Sequence, residues 1–466
     1  MSRSETVARQ DASTYVSQRR LTIGLCTNII AIAFETVAVA TAMPVAAREL
    51  DGLTYYAWAF SAFLIGMLFA TVVSGRLSDR IGPAKPLLVG LGIFLAGLVL
   101  AGTAEHMVQL IGGRFVQGIG SGVMNTAIFV CVAQAYSVRE RPKMFTYIST
   151  AWILPSFVGP PISAWLTQQL SWHWVFFAVI PLVIGGGLMV LPTLRRMMRS
   201  YEQPAADPDG ASPAPLWAAA LVALAAAALQ LAGQRLDWLA LGLLVIGLAA
   251  LVVGLPRLMP ACFRRFERGI SPVIVARGLL AGAFVGGEAF IPLMMVEERA
   301  VPLVVAGAAL TVGSIGWTTG SFLQSRPWLK IRRDRLITVG CVSLALGLGF
   351  TGLIAFIPAI PYYFVALAWV FSGLGMGLAT SSTSLAVMTL SVEAEQGRNA
   401  SSLNLSDALG AGIFVGISGT IFAALRPSGD LSLTFGTVLV TMSAIAVLAA
   451  LASLRIGAVR NEFAPQ

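Results

Sequence analysis

Apolar runs of about 20 residues recur along almost the whole of this chain, each long enough to cross a hydrocarbon core of roughly 30 Å at about 1.5 Å per residue. In that solvent only segments that satisfy their own backbone groups are viable, which here means helices. Of 466 residues, 57% are hydrophobic and 11% charged, with a mean hydropathy of +0.81. That balance lies outside the range of water-soluble domains, so the expected fold class is an all-α polytopic membrane protein.

Fourteen spans are expected, near 21–43, 55–76, 86–104, 107–136, 143–167, 173–193, 216–233, 238–256, 272–296, 302–325, 336–357, 361–390, 399–425 and 433–454. The first follows Arg19-Arg20 and runs past Ala40-Thr41-Ala42, which imitates a secretory leader. It is too long for one and carries a carboxylate, so an uncleaved helix is expected. The runs 216–233 and 238–256 are separated only by Gln234–Asp237 and could form one helix.

Charge decides between these counts. With the N-terminus inside, 25 of the 31 Lys and Arg residues fall in cytoplasmic segments, Arg48, Arg235, Arg299 and Arg426 fall outside, and Arg114 and Arg277 lie within helices. This is the positive-inside bias, and it puts both termini in the cytoplasm. A single span over 216–256 would place the five basic residues of 326–335 outside, so two spans or none is preferred.

The polar stretch "RSYEQPAADPDGASPAP" (199–215) reads as a linker. "GIGSG" (118–122) and "GLGMG" (373–377) stand 255 residues apart, "FVGPPIS" (157–163) and "FVGISGT" (414–420) 257 apart, and Glu35 and Glu288 253 apart. Near-equal offsets in one order indicate a duplicated unit. The expected organisation is a tail (1–20), a six-helix bundle (21–195), a linker (196–215), two inserted helices (216–256), a second linker (257–271), a second six-helix bundle (272–456) and a tail (457–466).

Several function classes find no support. The net charge of +9 lies in short loops, where topology accounts for it, so a nucleic-acid partner is not indicated. Cys26, Cys131, Cys262 and Cys341 are far apart, and His106 and His173 sit near helix ends, so neither a metal site nor a disulfide is expected. No G-x-x-x-x-G-K-[ST] phosphate loop occurs, and no cofactor or enzymatic chemistry is indicated.

The isolated charges inside spans carry the functional reading. Glu35 lies in "AIAFETVAVATAMPV" (31–45), and Arg114 opens "RFVQGIGSG" (114–122). An unpaired guanidinium in lipid costs several kcal/mol and needs a partner. A first helix ending at residue 43 puts Glu35 at about the same depth as Arg114, roughly 12 Å from the outer boundary. The two are expected to be neighbours. Glu288 in "FVGGEAFIPLMM" and Asp407 in "NLSDALGAG" are the further intramembrane acids.

With these residues in view, the sequence resembles the major facilitator superfamily, and within it the fourteen-span drug:proton antiporters. "GRLSDRIGPAKP" (75–86) is similar to the family's loop signature, which assigns Gly75, Asp79, Arg80 and Gly82 to a conformational latch. Pro83 and Ala84 stand where the family has basic residues. "RFVQGIGSG" resembles the fourth-helix signature. "PSFVGPPISA" (155–164) is similar to the exporters' fifth-helix signature, which makes Pro155, Gly159 and Pro160 a flexing point, with simple packing as the alternative. Glu35 nine residues before Pro44 keeps the first-helix pattern, with Glu for the usual Asp and Ala40 for the frequent Asn.

The resemblance implies two pseudo-symmetric bundles rocking about a midplane cavity. Glu35, Arg114, Glu288 and Asp407 are the expected proton-coupling residues, a structural role for Asp407 being as well supported. Phe34, Trp152, Phe157, Phe290, Met294 and Met295 would suit bulky amphipathic cations. The expected function is proton-coupled efflux of small amphipathic compounds by a monomer in a bacterial inner membrane. Export of an endogenous metabolite or lipid, proton-coupled uptake, and a non-transporting receptor are the rivals.

Overall fold

A computed structural model describes residues 3–137, 139–200, 215–233, 238–260, 262–263, 266–326, 328–392 and 395–459. The expected loop Gln234–Asp237 lies outside them, as do residues 201–214 of the first linker, 261, 264 and 265 of the second, and 1–2 and 460–466 of the tails.

The helices are α1 (Arg3–Glu49), α2 (Trp58–Ile81), α3 (Ala84–Gly102), α4 (Met107–Ala135), α5 (Arg141–Gln169), α6 (His173–Phe177), α7 (Ile180–Ser200), α8 (Leu216–Gly233), α9 (Trp238–Leu258), α10 (Ile270–Glu288), α11 (Ile291–Glu297), α12 (Leu303–Gln324), α13 (Arg333–Phe356), α14 (Tyr363–Leu390), α15 (Gln396–Leu425) and α16 (Leu431–Ser453). Among the described residues, thirteen segments are long and apolar enough to cross a membrane. The fourteenth helix of membrane length is α5, which carries Thr146, Ser149, Thr150 and three internal prolines.

Three expectations need correction. The first helix does not stop at 43; it begins at Arg3, within the expected tail, and runs through Pro44 to Glu49. The ring of Pro44 removes only the bond to the Ala40 carbonyl, which one helix turn tolerates when both flanks are packed. The spans 173–193 and 272–296 are each broken, at Ala178-Val179 and at Ala289-Phe290. A proline follows each break, Pro181 and Pro292, and each lacks the N–H that would bond four residues back, to Phe177 or Glu288.

Two bundles result, α1–α7 and α10–α16, and their interiors repeat. In α4, Gly118 and Gly122 face Phe63 and Met67 of α2, while Gly120 faces Phe94 of α3. In α14, Gly373 and Gly377 face Gly313 and Trp317 of α12, while Gly375 faces Gly340 of α13. The two glycine motifs therefore do the same work, letting three helix backbones approach closely. Between the bundles, α5 packs on α12 and α2 on α15, and α8 lies along the α2–α15 seam with α9 outside it.

With the sides named as the charge of the loops leads one to expect, the bundles meet on the outer side. Arg48 at the end of α1 pairs with Glu297 at the end of α11, the Tyr56 hydroxyl donates to the Ala289 carbonyl at 2.8 Å, and Ala57 fits against Gly419. On the cytoplasmic side they part. Along α5 as far as Leu154, the buried residues among those described are Met144, Ile148 and Ala151, a single stripe facing the bundle's own core; from Pro155 outward that stripe continues through Gly159 and the buried face widens to include Pro160, Ser163 and Ala164. In α15, Ser401 and Asn404 are exposed and Asp407 is half-buried on the same side. Polar groups at that depth face water rather than lipid, so these residues wall a cleft open to the cytoplasm.

Candidate functional site

α1 and α4 run antiparallel, and each brings one charge to the interior of the first bundle. Arg114 is 2% and Glu35 0% exposed. Arg114 donates through Nη1 to Glu35 Oε1 and to Gln117 Oε1 at 3.0 Å. Its Nε donates to the Ala59 carbonyl at 2.9 Å, and its guanidinium lies 4.5 Å from the centre of the Phe63 ring. Three helices, α1, α2 and α4 itself, thus hold the cation in place. The carboxylate is held at one oxygen only: Oε2 is buried with no hydrogen-bond partner among the described residues. Glu35 and Arg114 are not equally far from their helix ends, since Glu35 is about 21 Å by helical rise from the end of α1 at Glu49. α1 simply projects further outward than α4.

A second buried pair was not anticipated. Arg277 of α10 donates through Nε to Asp407 Oδ1 at 2.5 Å and through Nη2 to Oδ2 at 2.6 Å. Its Nη1 reaches the Thr380 carbonyl at 2.7 Å and Thr383 Oγ1 at 2.9 Å. Arg277 therefore ties α10, α14 and α15 together, about 10 Å from the near end of α10 and about 16 Å from that of α15. The missed signal was a second intramembrane arginine, which needs an acid at its own depth as much as Arg114 does. The Asp407 side chain is 27% exposed against 9% for Arg277, so the acid is the member of the pair that faces the cleft.

Glu288 ends α10 at the helix break, half-buried, and has no ion-pair partner among the described residues. It is thus not brought to Arg114 or to Asp407.

In α5 the prolines have a use beyond bending. Pro160 and Pro161 cannot donate to the carbonyls of Ser156 and Phe157 four residues earlier. The freed carbonyls are taken by the other bundle: Ser314 Oγ donates to Ser156 at 3.2 Å and Thr311 Oγ1 to Phe157 at 3.5 Å. Gly159 faces Phe34 and Val37 of α1, where a Cβ would make only ordinary contacts, and Ser163 Oγ donates to the Ala38 carbonyl at 2.6 Å. Pro155 lies on the buried stripe.

The expected latch lies at the cytoplasmic end of α2, where Asp79 and Arg80 are exposed. Gly82 has φ +75°, a left-handed turn that favours glycine. Gly75 is not needed for close packing here, since a Cβ at that position would meet open space.

The expected cavity residues separate. Trp152 is exposed on the cytoplasmic half of α5, and Phe34 and Phe157 sit where α1, α5 and α12 converge. Phe290, Met294 and Met295 are sealed, each at most 1% exposed. The break after Glu288 turns them into the outer seal, where Phe290 packs on Tyr56 and Phe422 with ring centres 5.3 Å away in each case. They do not line the cleft in this conformation.

The family model described as Major Facilitator Superfamily matches residues 23–415. Multidrug resistance protein 3 of Bacillus subtilis is 32% identical over 197 residues, 42% of this chain and 37% of that protein. Multidrug transporter protein MdtP of the same organism is 30% identical over 188 residues, 40% of this chain and 34% of that protein. The chain thus matches about a third of the length of these curated relatives. Among solved structures, a POT family transporter in complex with 5-aminolevulinic acid superposes with a TM-score of 0.71 at 15% identity, covering 94% of this chain and 96% of that one. An auto-inhibited POT family peptide transporter superposes at 0.67 with 17% identity, covering 96% and 99%. At such identities the likeness speaks for the fold.

Proposed function

Because the chain belongs to the Major Facilitator Superfamily, we propose that it exports small amphipathic compounds across a bacterial inner membrane in exchange for protons, both termini facing the cytoplasm. The observation that carries this reading is the sealed Glu35 carboxylate. One oxygen is held by Arg114 and the other has no partner among the described residues, an arrangement suited to taking up and releasing one proton while the pairing adjusts. The names of the multidrug relatives support export.

Substrate enters from the cytoplasm into the cleft walled by α5 and α15, where Trp152 offers an aromatic face and Asp407 a carboxylate. Phe34 and Phe157 lie deeper, beside Glu35. Glu288 at the α10–α11 break is the acid of the second bundle available to an outward-opening state. Pro155, Gly159 and Pro160 give α5 its flexing point, and Asp79 and Arg80 with Gly75 and Gly82 form the cytoplasmic latch that closes when the outer side opens. The working unit is the monomer.

The test is gradient-driven flux in proteoliposomes. An imposed proton gradient is expected to drive accumulation of a lipophilic cationic dye with the wild-type chain. Glu35→Gln should retain dye binding and lose gradient-driven transport. Full proton coupling in both Glu35→Gln and Glu288→Gln would refute the reading.

A further inference from the structure

Glu35 is closed off from the outer side in this conformation, so a proton leaving Oε2 must travel inward. Along that direction lies a file of polar atoms that find no protein partner. Gln117 Nε2, Ser121 Oγ and Asn125 Oδ1 on α4, and Asn28 Oδ1 on α1, are buried without a hydrogen-bond partner among the described residues, as is Glu35 Oε2 itself.

Their spacing is regular. Arg114, Gln117, Ser121 and Asn125 follow one another at intervals of three, four and four residues, a single stripe of one helix face. Asn28 precedes Glu35 by seven residues, two turns along the same face of α1. Measured inward from the ion pair by helical rise, Asn28 and Ser121 both lie about 10 Å deeper and Asn125 about 16 Å deeper. The antiparallel helices therefore present unpartnered polar groups at matching levels.

The amides are oriented by their bonded ends. Gln117 Oε1 accepts from Arg114, which leaves Nε2 as its free donor. Asn28 Nδ2 donates to the Gly24 carbonyl at 2.9 Å, which leaves Oδ1 as its free acceptor. The α7 backbone makes room for that amide at Gly186, where a Cβ would come within 2.9 Å of it. Met124 and Ile128, both 0% exposed, flank the stripe, and Asn125, at its inner end, is the partly exposed member of the row.

Native interiors do not leave a row of buried polar atoms unbonded, and atoms one helical turn apart are suited to bridging by single waters. We infer that internal waters join Glu35 Oε2, Gln117, Ser121, Asn28 and Asn125 into a proton path from the sealed carboxylate to the cytoplasmic cleft. The inference rests on the reading of Glu35 as the coupling acid. In the step it describes, the Oε2–H bond breaks, the proton passes to the first water, and each water accepts one proton and hands on another. One net proton reaches the cytoplasm, and the carboxylate left behind faces Arg114. Arg114 is the charged group that faces Glu35: α2 presents Ala59 and Phe63 there, α5 presents Gly159 and Ser163, and the α11 contact with α1 is the distant Arg48–Glu297 pair.

The full chain in lipid vesicles is tested by infrared difference spectroscopy of the Glu35 carboxyl after a jump in cytoplasmic pH. Ser121→Val combined with Asn28→Leu is expected to slow proton release about tenfold or more, and Ser121→Thr with Asn28→Gln to restore it, with dye binding unchanged throughout. Hydroxyl-radical footprinting of the wild-type chain gives a second readout that does not depend on the variants folding. Met124, beside the file, should oxidise despite its burial, whereas the equally buried Met442 should not. A wild-type release rate in the blocked variant, or a Met124 as inert as Met442, would overturn the path. Glu35→Gln separates the two readings: if it leaves transport coupled, the coupling assignment fails, and if it uncouples transport while the blocked variant releases protons normally, only the water path fails.

Discussion

Tyr56, on the outer turn between α1 and α2, donates its hydroxyl to the carbonyl of Ala289, 2.8 Å away in the opposite bundle. That carbonyl stands at the helix break immediately after Glu288. The bond joins the bundles where they must separate if the outer side is to open, and it is fully buried, with Phe60, Phe290 and Phe422 around the ring. Tyr56→Phe removes the bond and keeps the ring. A buried hydrogen bond contributes about 1 kcal/mol, enough to raise the outer-open population about fivefold. Spin labels at the exposed outer positions Glu105 and Tyr363 should report a second, longer distance in the variant. An unchanged distance distribution would remove Tyr56 from the gate. Arg48→Ala should do less, because its ion pair is half exposed and such pairs contribute little.

The bonds from Ser314 and Thr311 to the carbonyls that Pro160 and Pro161 free give a second expectation. Replacing both prolines by alanine restores the internal donors of α5. The helix should then stiffen and the carbonyls of Ser156 and Phe157 should turn away from α12. Helix interiors gain about 3 kcal/mol per proline removed when nothing else depends on it. The P160A/P161A variant is therefore expected to melt at higher temperature in detergent while exchanging substrate more slowly, two measurements that would move together if the prolines were mere defects.

How much of this was legible in the sequence depends on which physical rule applied. The succession of apolar spans was readable because lipid imposes length. The nearness of Glu35 and Arg114 was readable because a buried cation must find an anion, although the depth estimate assumed that the first helix stops before Pro44. The Arg277–Asp407 pair was equally open to that argument, which was applied to only one of the two intramembrane arginines. The breaks after Phe177 and Glu288 are marked by Pro181 and Pro292, but continuous hydropathy hides them. Tyr56 and the sealing of Phe290, Met294 and Met295 have no local signal, since each depends on which surface of the other bundle arrives opposite.

The Arg277–Asp407 pair makes a prediction that separates stability from coupling. Removing one member leaves the other charged and buried, which costs about 3–5 kcal/mol, whereas removing both can be nearly neutral. Asp407→Leu alone should thus lower thermal stability more than Arg277→Leu/Asp407→Leu together. A double-mutant cycle by thermal denaturation in detergent measures the difference. If the two single changes simply add, the fork between Arg277 and Asp407 contributes no coupling energy and Asp407 stands as an independent group on the cleft wall.

The same logic applied to Glu35 and Arg114 gives a different outcome, because the two partners are unequally supported. Arg114 also bonds the Ala59 carbonyl and Gln117 and lies against the Phe63 ring, whereas Glu35 accepts from Arg114 alone among the described residues. Glu35→Gln leaves an amide that can still accept from the guanidinium, so its stability cost should stay near 1 kcal/mol. Arg114→Leu leaves the buried carboxylate without its cation, and its cost should reach about 3–5 kcal/mol. Thermal unfolding of the two variants in the same detergent checks this ordering. The reverse ordering would mean that Glu35 is held by something other than Arg114, and that the arginine is the replaceable member of the pair.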